Sequence, residues 1–295
     1  MTHVVTLIGP SNALDASMLA RVRAELPGAG ESQKLGPGAT DIPFSGTAGA
    51  DQRVLASHLR GVVNGPVDVV VQPAANRRKK LFLADMDSTM IGQECIDELA
   101  AFVGLKEHVA AITERAMRGE IAFEPALRER VALLKGLPVT VVEEVIAKHI
   151  SLTPGGRTLV QTVRKHGAYT ALVSGGFTLF TDRIAKMIGF DETRANTLTL
   201  ADDKLAGAVD EPIFGRETKR ATLIELRTRL GLGNEDTMAT GDGANDLDMI
   251  TEAGLGVAFH AKPKVAEAAA ARIDYNDLTA LLYVQGYKAE EFVAG

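Results

Sequence analysis

Apolar residues recur along this chain at two spacings, and the alternation between them lays out its elements. Residues 4–8 (Val-Val-Thr-Leu-Ile) and 67–71 (Val-Asp-Val-Val-Val) are short β-branched runs bounded by Pro10, Pro66 and Pro73, which predicts two strands. Between them, Met18 to Leu26 and Gln52 to Val63 carry apolar residues at helical intervals. The stretch from Gly28 to Gly49 is rich in Gly, Pro and Ser and predicts loop with at most one strand. Together these make a small α+β unit over residues 1–74. The segment after it ends in Arg77-Arg78-Lys79-Lys80, a charge run that predicts a solvated linker.

From Leu81 onward strand and helix patterns alternate, as in a parallel sheet with helices on both faces. The expected strands are 81–85, 168–173, 237–241 and 254–258. Helical spacing covers 156–166, 178–188, 216–230, 245–252 and 263–270. Between the first two strands the pattern gives only helices, near 93–103, 106–118, 123–135 and 139–149, punctuated by Gly104, Gly119 and Gly136-Leu137-Pro138. A helical insertion at about 91–150 would cover the carboxyl end of the first strand, where open α/β sheets bind ligands. Residues 196–209 read as a hairpin. The expected organisation is thus an amino-terminal unit over 1–74 and a larger α/β domain over 75–295.

Composition narrows the class. Of 295 residues 46% are apolar and 24% charged, an ordinary globular balance. The net charge of -6 argues against a nucleic-acid binder, which carries a basic face. Cys95 is the sole cysteine, so no intrachain disulfide can form and a reducing compartment is expected. Nowhere do 18 apolar residues run together, and Met1 to Pro10 lacks the features of a secretory signal, so no membrane association and a cytoplasmic location are expected.

The chemistry lies where the strands end. Asp85-Met86-Asp87-Ser88-Thr89 closes the first, and two carboxylates at the mouth of a buried strand need a cation, a proton or a substrate. A calcium loop fails, because its sixth and twelfth positions are Met90 and Ile96 instead of Gly and Glu. No Gly-x-x-x-x-Gly-Lys-Ser/Thr loop occurs either. What remains is a magnesium site beside a nucleophilic carboxylate, with side chains from Asp85 and Asp242 and the backbone carbonyl of Asp87.

The ordered set Asp85-x-Asp87-Ser88-Thr89, Ser174-Gly175-Gly176, Lys219 and Gly241-Asp242-Gly243-Ala244-Asn245-Asp246 resembles the haloacid-dehalogenase-like phosphatases. With Glu94, Phe123 and Arg130 in the insertion, it is similar in particular to their phosphoserine phosphatase branch. The resemblance spans about residues 80–285. It implies a Rossmann-like parallel sheet flanked by helices, with a helical cap after the first strand. It also implies Asp85 as nucleophile, Asp87 as proton donor, and Mg²⁺ held by Asp85, Asp87 and Asp242. Glu94, Arg130, Ser174, Gly175, Lys219 and Asn245 would contact the substrate. The implied activity is hydrolysis of O-phospho-L-serine through an aspartyl-phosphate, the last step of serine biosynthesis. Alternatives within the same chemistry are another small phosphomonoester such as phosphothreonine, or phosphate transfer to a second alcohol such as homoserine.

Spacing bears on three of these residues independently. Phe123, Leu127, Arg130 and Leu134 share one helix face, so Arg130 stands where the pattern predicts an apolar residue, while Arg128 falls elsewhere. One turn back along the stripe Leu223, Leu226, Leu230 lies Lys219, with Arg216 and Arg220 off it. Glu94 reads equally as a substrate ligand and as an acid favoured at a helix start. Residues 1–74 resemble, by element order alone, the ACT-like portion found on many phosphoserine phosphatases. An amino-acid-binding regulatory module, self-association into a homodimer, and a purely structural role are all open to them.

Overall fold

The computed structural model describes residues 1–10, 13–46 and 51–294. The amino-terminal unit runs β1 (His3–Ile8), α1 (Ala16–Ala24), β2 (Gln33–Gly36), β3 (Ala39–Phe44), α2 (Gln52–Val63) and β4 (Asp68–Pro73). Its strands lie in the order β2-β3-β1-β4, antiparallel throughout. Asp15 and Asp51 start the helices by accepting backbone N–H groups of Met18 and Arg53. Side chains alternate across a strand, and here both faces are covered. Val5, Leu7, Ile42, Phe44, Val69 and Val71 form a core with α1 and α2. Ile8, Ala39 and Val70, from the opposite face, join the core of the larger domain.

That domain continues with β5 (Leu81–Ala84), α3 (Cys95–Ala101), α4 (Lys106–Met117), α5 (Phe123–Ala132), α6 (Val141–Lys148), α7 (Gly156–Lys165), β6 (Tyr169–Phe177) and α8 (Thr178–Ile188). Then follow β7 (Glu192–Asn196), β8 (Leu198–Ala201), β9 (Lys204–Val209), α9 (Arg216–Arg229), β10 (Thr237–Gly241), α10 (Leu247–Glu252), β11 (Leu255–Phe259), α11 (Pro263–Ala268), β12 (Ala271–Ile273) and α12 (Ala280–Val284). Six parallel strands lie in the order β12-β11-β10-β5-β6-β7. Every side chain of Leu81-Phe82-Leu83-Ala84 is buried, each large one worth about 1.5–3 kcal/mol. Because β5 sits between β6 and β10, the chain leaves it in both directions, and ligands bind at such a switch point. Helices α3 to α6 form the cap, and its two connections pair at Ile91 and Leu152. Among the described residues no helix is long and apolar enough to cross a membrane.

The sequence expectations hold for most elements; the differences fall in the 28–49 stretch, at β7, β12 and α12, and at the basic run 77–80. The stretch from Gly28 to Gly49 contains two strands, β2 and β3, instead of at most one; residues 47–50 lie outside the described residues. Pro43 obscured β3, yet β2 pairs only with residues 39–41, so the proline stands beyond that ladder. β7 and β12 were not foreseen, since one is polar and the other three residues long.

The basic run 77–80 is no solvated linker. Arg77 forms an ion pair with Asp41 and donates to the carbonyl oxygens of Tyr283 and Val284. Arg78 pairs with Glu291 and lies over the Tyr287 ring, and Lys79 donates to the carbonyl of Glu235. Of the four, Arg77 bridges the two units, while Arg78, Lys79 and Lys80 are held by groups of the larger domain, Lys80 by Asp236.

Candidate active site

Strand register brings the motifs together. Thr240 and Leu172 both stand opposite Ala84, so Asp242, Ser174 and Asp85 emerge side by side from three adjacent strands. Carboxylate oxygens of Asp85, Asp242 and Asp246 lie within 4.8 Å of one another, all three residues buried. After Asp85 the backbone kinks: Asp87 is extended and Ser88 is left-handed at φ 53°, which turns Asp87 back toward β6.

Each carboxylate has a distinct surrounding. Asp85 Oδ1 accepts from the Met86 N–H at 2.8 Å and from Lys219 Nζ at 2.7 Å. Burial, then the Asp246 charge, push Asp85 well above the usual carboxylate range in spite of Lys219. Asp87 is oriented by the Cys95 N–H on Oδ1 at 3.0 Å and the Ser174 hydroxyl on Oδ2 at 3.3 Å. Burial raises its pKa too, with the Cys95 N–H opposing. Asp242 is raised to about 7, chiefly by burial and then by Asp246.

Lys219 is fully buried and bridges Asp85 to Asp246 Oδ1, the latter at 2.6 Å. Burial alone would lower its pKa, but the two carboxylates overrule it and hold the ammonium. Asp246 Oδ2 accepts the N–H groups of Asp242 and Gly243, so both of its oxygens serve the chain. Asp246 therefore ties Lys219 and the β10 turn into one unit, and Asp85 and Asp242 are the carboxylates left for a cation. An all-oxygen donor set of this kind suits a hard divalent ion. Asp87 can join it only through its main-chain carbonyl, since its side chain is committed to Ser174 and Cys95.

A small cavity opens above these groups, lined by Asp85, Asp87, Glu94, Arg130, Gly175 and Asn245, with Ile96, Met117, Phe123 and Leu127 from the cap and the segment leading into it. Ser174, Lys219 and Asp242 do not line it. Lys219 is bonded to Asp85 and Ser174 to Asp87, while Asp242 accepts from the Thr89 hydroxyl. The glycines after Ser174 are required by the close packing: a Cβ at Gly176 would come within 2.7 Å of Asp87 Oδ2. Asn245 Oδ1 is buried without a hydrogen-bond partner among the described residues.

Of the cap residues, Arg130 is 4% exposed on the inner face of α5, while Arg128 is exposed and pairs with Glu124 and Glu211. Arg216 and Arg220 likewise pair on the surface, with Asp248 and Glu252. Glu94 stands at the start of α3 but makes no capping hydrogen bond; its carboxylate accepts from Ser88 at 2.6 Å and faces the cavity. Burial and the neighbouring Asp87 raise its pKa well above the usual range. Sequence reasoning missed Asn196, whose Nδ2 donates to the Gly175 carbonyl at 2.8 Å and whose Oδ1 accepts the Phe214 N–H. It lies on β7, which had no apolar pattern to betray it.

Comparison with known proteins gives the family of the chain. A family model described as haloacid dehalogenase-like hydrolase matches residues 82–251. The phosphoserine phosphatase of Polaromonas sp. (strain JS666) is 50% identical over 208 residues, 69% of this chain and 88% of that protein. A solved phospho-aspartyl intermediate analogue of a phosphoserine phosphatase superposes with a TM-score of 0.67 at 41% identity, over 70% of this chain and 98% of the other. The unliganded probable phosphoserine phosphatase from Vibrio cholerae gives 0.77 at 31% identity over 97% of this chain and 86% of the other, amino-terminal unit included. On motif order, strand register and these likenesses, the chain belongs to the haloacid dehalogenase-like hydrolases, in their phosphoserine phosphatase family.

Proposed function

We propose that this protein hydrolyses O-phospho-L-serine to L-serine and phosphate with Mg²⁺ bound at Asp85, Asp242 and the Asp87 carbonyl. The observation that carries the reading is one cavity lined by two kinds of group: Asp85, Asp87 and the Gly175-Gly176 backbone suit a phosphoryl group, while Arg130 and Glu94 suit a carboxylate and an ammonium.

A carboxylate approaching a phosphate dianion at about 4 Å meets repulsion on the order of 4 kcal/mol per unit charge pair at an effective dielectric near 20. Lys219 offsets part of this, and a divalent ion, when bound, supplies the remaining positive charge. Asp85 attacks phosphorus in line, forming an aspartyl-phosphate as the bond to the serine oxygen breaks. Asp87, whose proton affinity burial raises against the donors around it, acts in its protonated form and gives the proton to that oxygen. Now a carboxylate, it takes a proton from the water that cleaves the acyl phosphate, which restores both aspartates. Ser174 holds Asp87 in line for both transfers, and the cap keeps bulk water out of the first.

The test is phosphate release from O-phospho-L-serine by the full chain with magnesium and with chelator. Turnover that needs the metal, and exceeds that on phosphothreonine, is expected. Equal rates with chelator would remove the metal from the scheme, and no turnover of phosphoserine would remove the substrate.

A further inference from the structure

The Arg130 guanidinium is held in an unusual way for a buried cation. Its Nε donates to the Ala126 carbonyl at 3.0 Å and its Nη1 to the Thr113 hydroxyl at 2.9 Å. Among the described residues it makes no direct ion pair, and Nη2 makes no hydrogen bond. Thr113 Oγ1 lies 2.7 Å from Asp97 Oδ1 and 3.0 Å from the Val109 carbonyl. Arginine can only donate, so the hydroxyl oxygen must accept from Arg130, and its single proton is free for the shorter bond to Asp97. Thr113 and Asp97 are themselves buried, 3% and 9% exposed, one on α4 and the other on α3. Three cap helices thus meet in a directed chain from Arg130 through Thr113 to Asp97.

This arrangement has a physical consequence. A carboxylate touching Arg130 directly would orient it but also neutralise it and compete for its fork. A neutral hydroxyl, polarised by an acid one bond further away, fixes the fork and leaves its charge to be met by a ligand. We propose that Thr113 and Asp97 are positioning residues that give this site its preference for a phosphomonoester bearing a carboxylate. The inference rests on the reading above, in which Arg130 receives the substrate carboxylate.

The experiment compares O-phospho-L-serine with phosphoethanolamine, which lacks the carboxylate, as substrates of the full-length wild type, Thr113→Val, Thr113→Ser, Asp97→Asn and Arg130→Ala. Thr113→Val is expected to lower kcat/KM for phosphoserine by about tenfold, mostly through KM, with phosphoethanolamine changed by less than about twofold. Thr113→Ser, which keeps the hydroxyl, is expected to restore the preference, and Asp97→Asn to lose part of it. A general packing defect would slow both substrates alike, and that outcome overturns the proposal. If Thr113→Val fails to fold, the near-isosteric Asp97→Asn decides, and an unchanged preference in it refutes the relay. Loss of preference in Arg130→Ala with retention in the other variants sinks the relay alone. Retention in Arg130→Ala sinks the reading of the site and the relay with it.

Discussion

Asp85 and Asp87 are two residues apart and have the same side chain, yet their neighbours prepare them for different work. Asp85 accepts from the Lys219 ammonium, which favours the charged form that a cation and a phosphoryl group would engage, against burial and two neighbouring carboxylates. Asp87 is turned to Ser174 and the Cys95 N–H, in a position to hand over a proton. Asp85→Asn keeps the size and removes the nucleophilic charge; kcat is expected to fall by about 10⁴ or more. Single-turnover trapping of phosphorylated protein checks this, because wild type should carry acid-stable label and the variant none. A variant that turned over at the wild-type rate would rule out covalent catalysis at this residue. Arg130 and Lys219 were both legible in the sequence as charges set into apolar stripes. The roles of Thr113, Asp97 and Asn196 were not, because a small polar residue on a buried face looks the same with or without a polar partner.

At the scale of elements, the turn after β10 shows how backbone and side chain depend on each other. Asp246 closes the turn by accepting two of its N–H groups and at the same time holds Lys219. The turn can close this tightly only because residue 241 is glycine: a Cβ there would stand 2.4 Å from Asp246 Cγ. Gly241→Ala is therefore expected to displace Asp246 and with it the Lys219 ammonium. A displacement near 1 Å costs about 100-fold in kcat, with the unfolding midpoint changed far less than activity. Circular dichroism melts alongside steady-state rates would show this split, and an active Gly241→Ala enzyme would refute the coupling. All helices of this domain except the five-residue α12 were readable from periodicity, since each longer helix buries one stripe. β7 and β12 were not, because an edge strand that is polar or only three residues long leaves no periodic signal.

For the whole molecule, the seam between the units decides whether they behave as one body. Thr6 and Arg77 both donate to Asp41, and Gln72 donates to the Val284 carbonyl at 2.6 Å. Asp68 accepts the N–H of Asp274 and the side-chain amide of Asn276 across the same boundary, each at 2.7 Å. With Ile8, Ala39 and Val70 in the larger core, removing the amino-terminal unit would bare apolar and charged surface together. Asp41→Ala leaves Arg77 half-buried without its partner and is expected to cost about 3 kcal/mol. Denaturant unfolding followed by two probes, one per unit, measures it: wild type should give one transition, and the variant an earlier loss of the amino-terminal unit. Coincident, unshifted curves for the variant would show that the seam contributes little.

The sequence by itself determined the order of most elements, the residues at the strand ends and the family they mark, because periodicity and motif order are properties of the chain read along its length. Only the tertiary structure decided which groups share a space. Register placed Asp242 and Ser174 beside Asp85, and packing drew Arg77, read along the chain as part of a linker, into the seam between the units. It also drew Asp97 and Thr113 from separate helices to Arg130. Those outcomes depend on pairings between residues from about 20 to more than 200 positions apart, and the energy of a charge or hydroxyl is set by what surrounds it after folding.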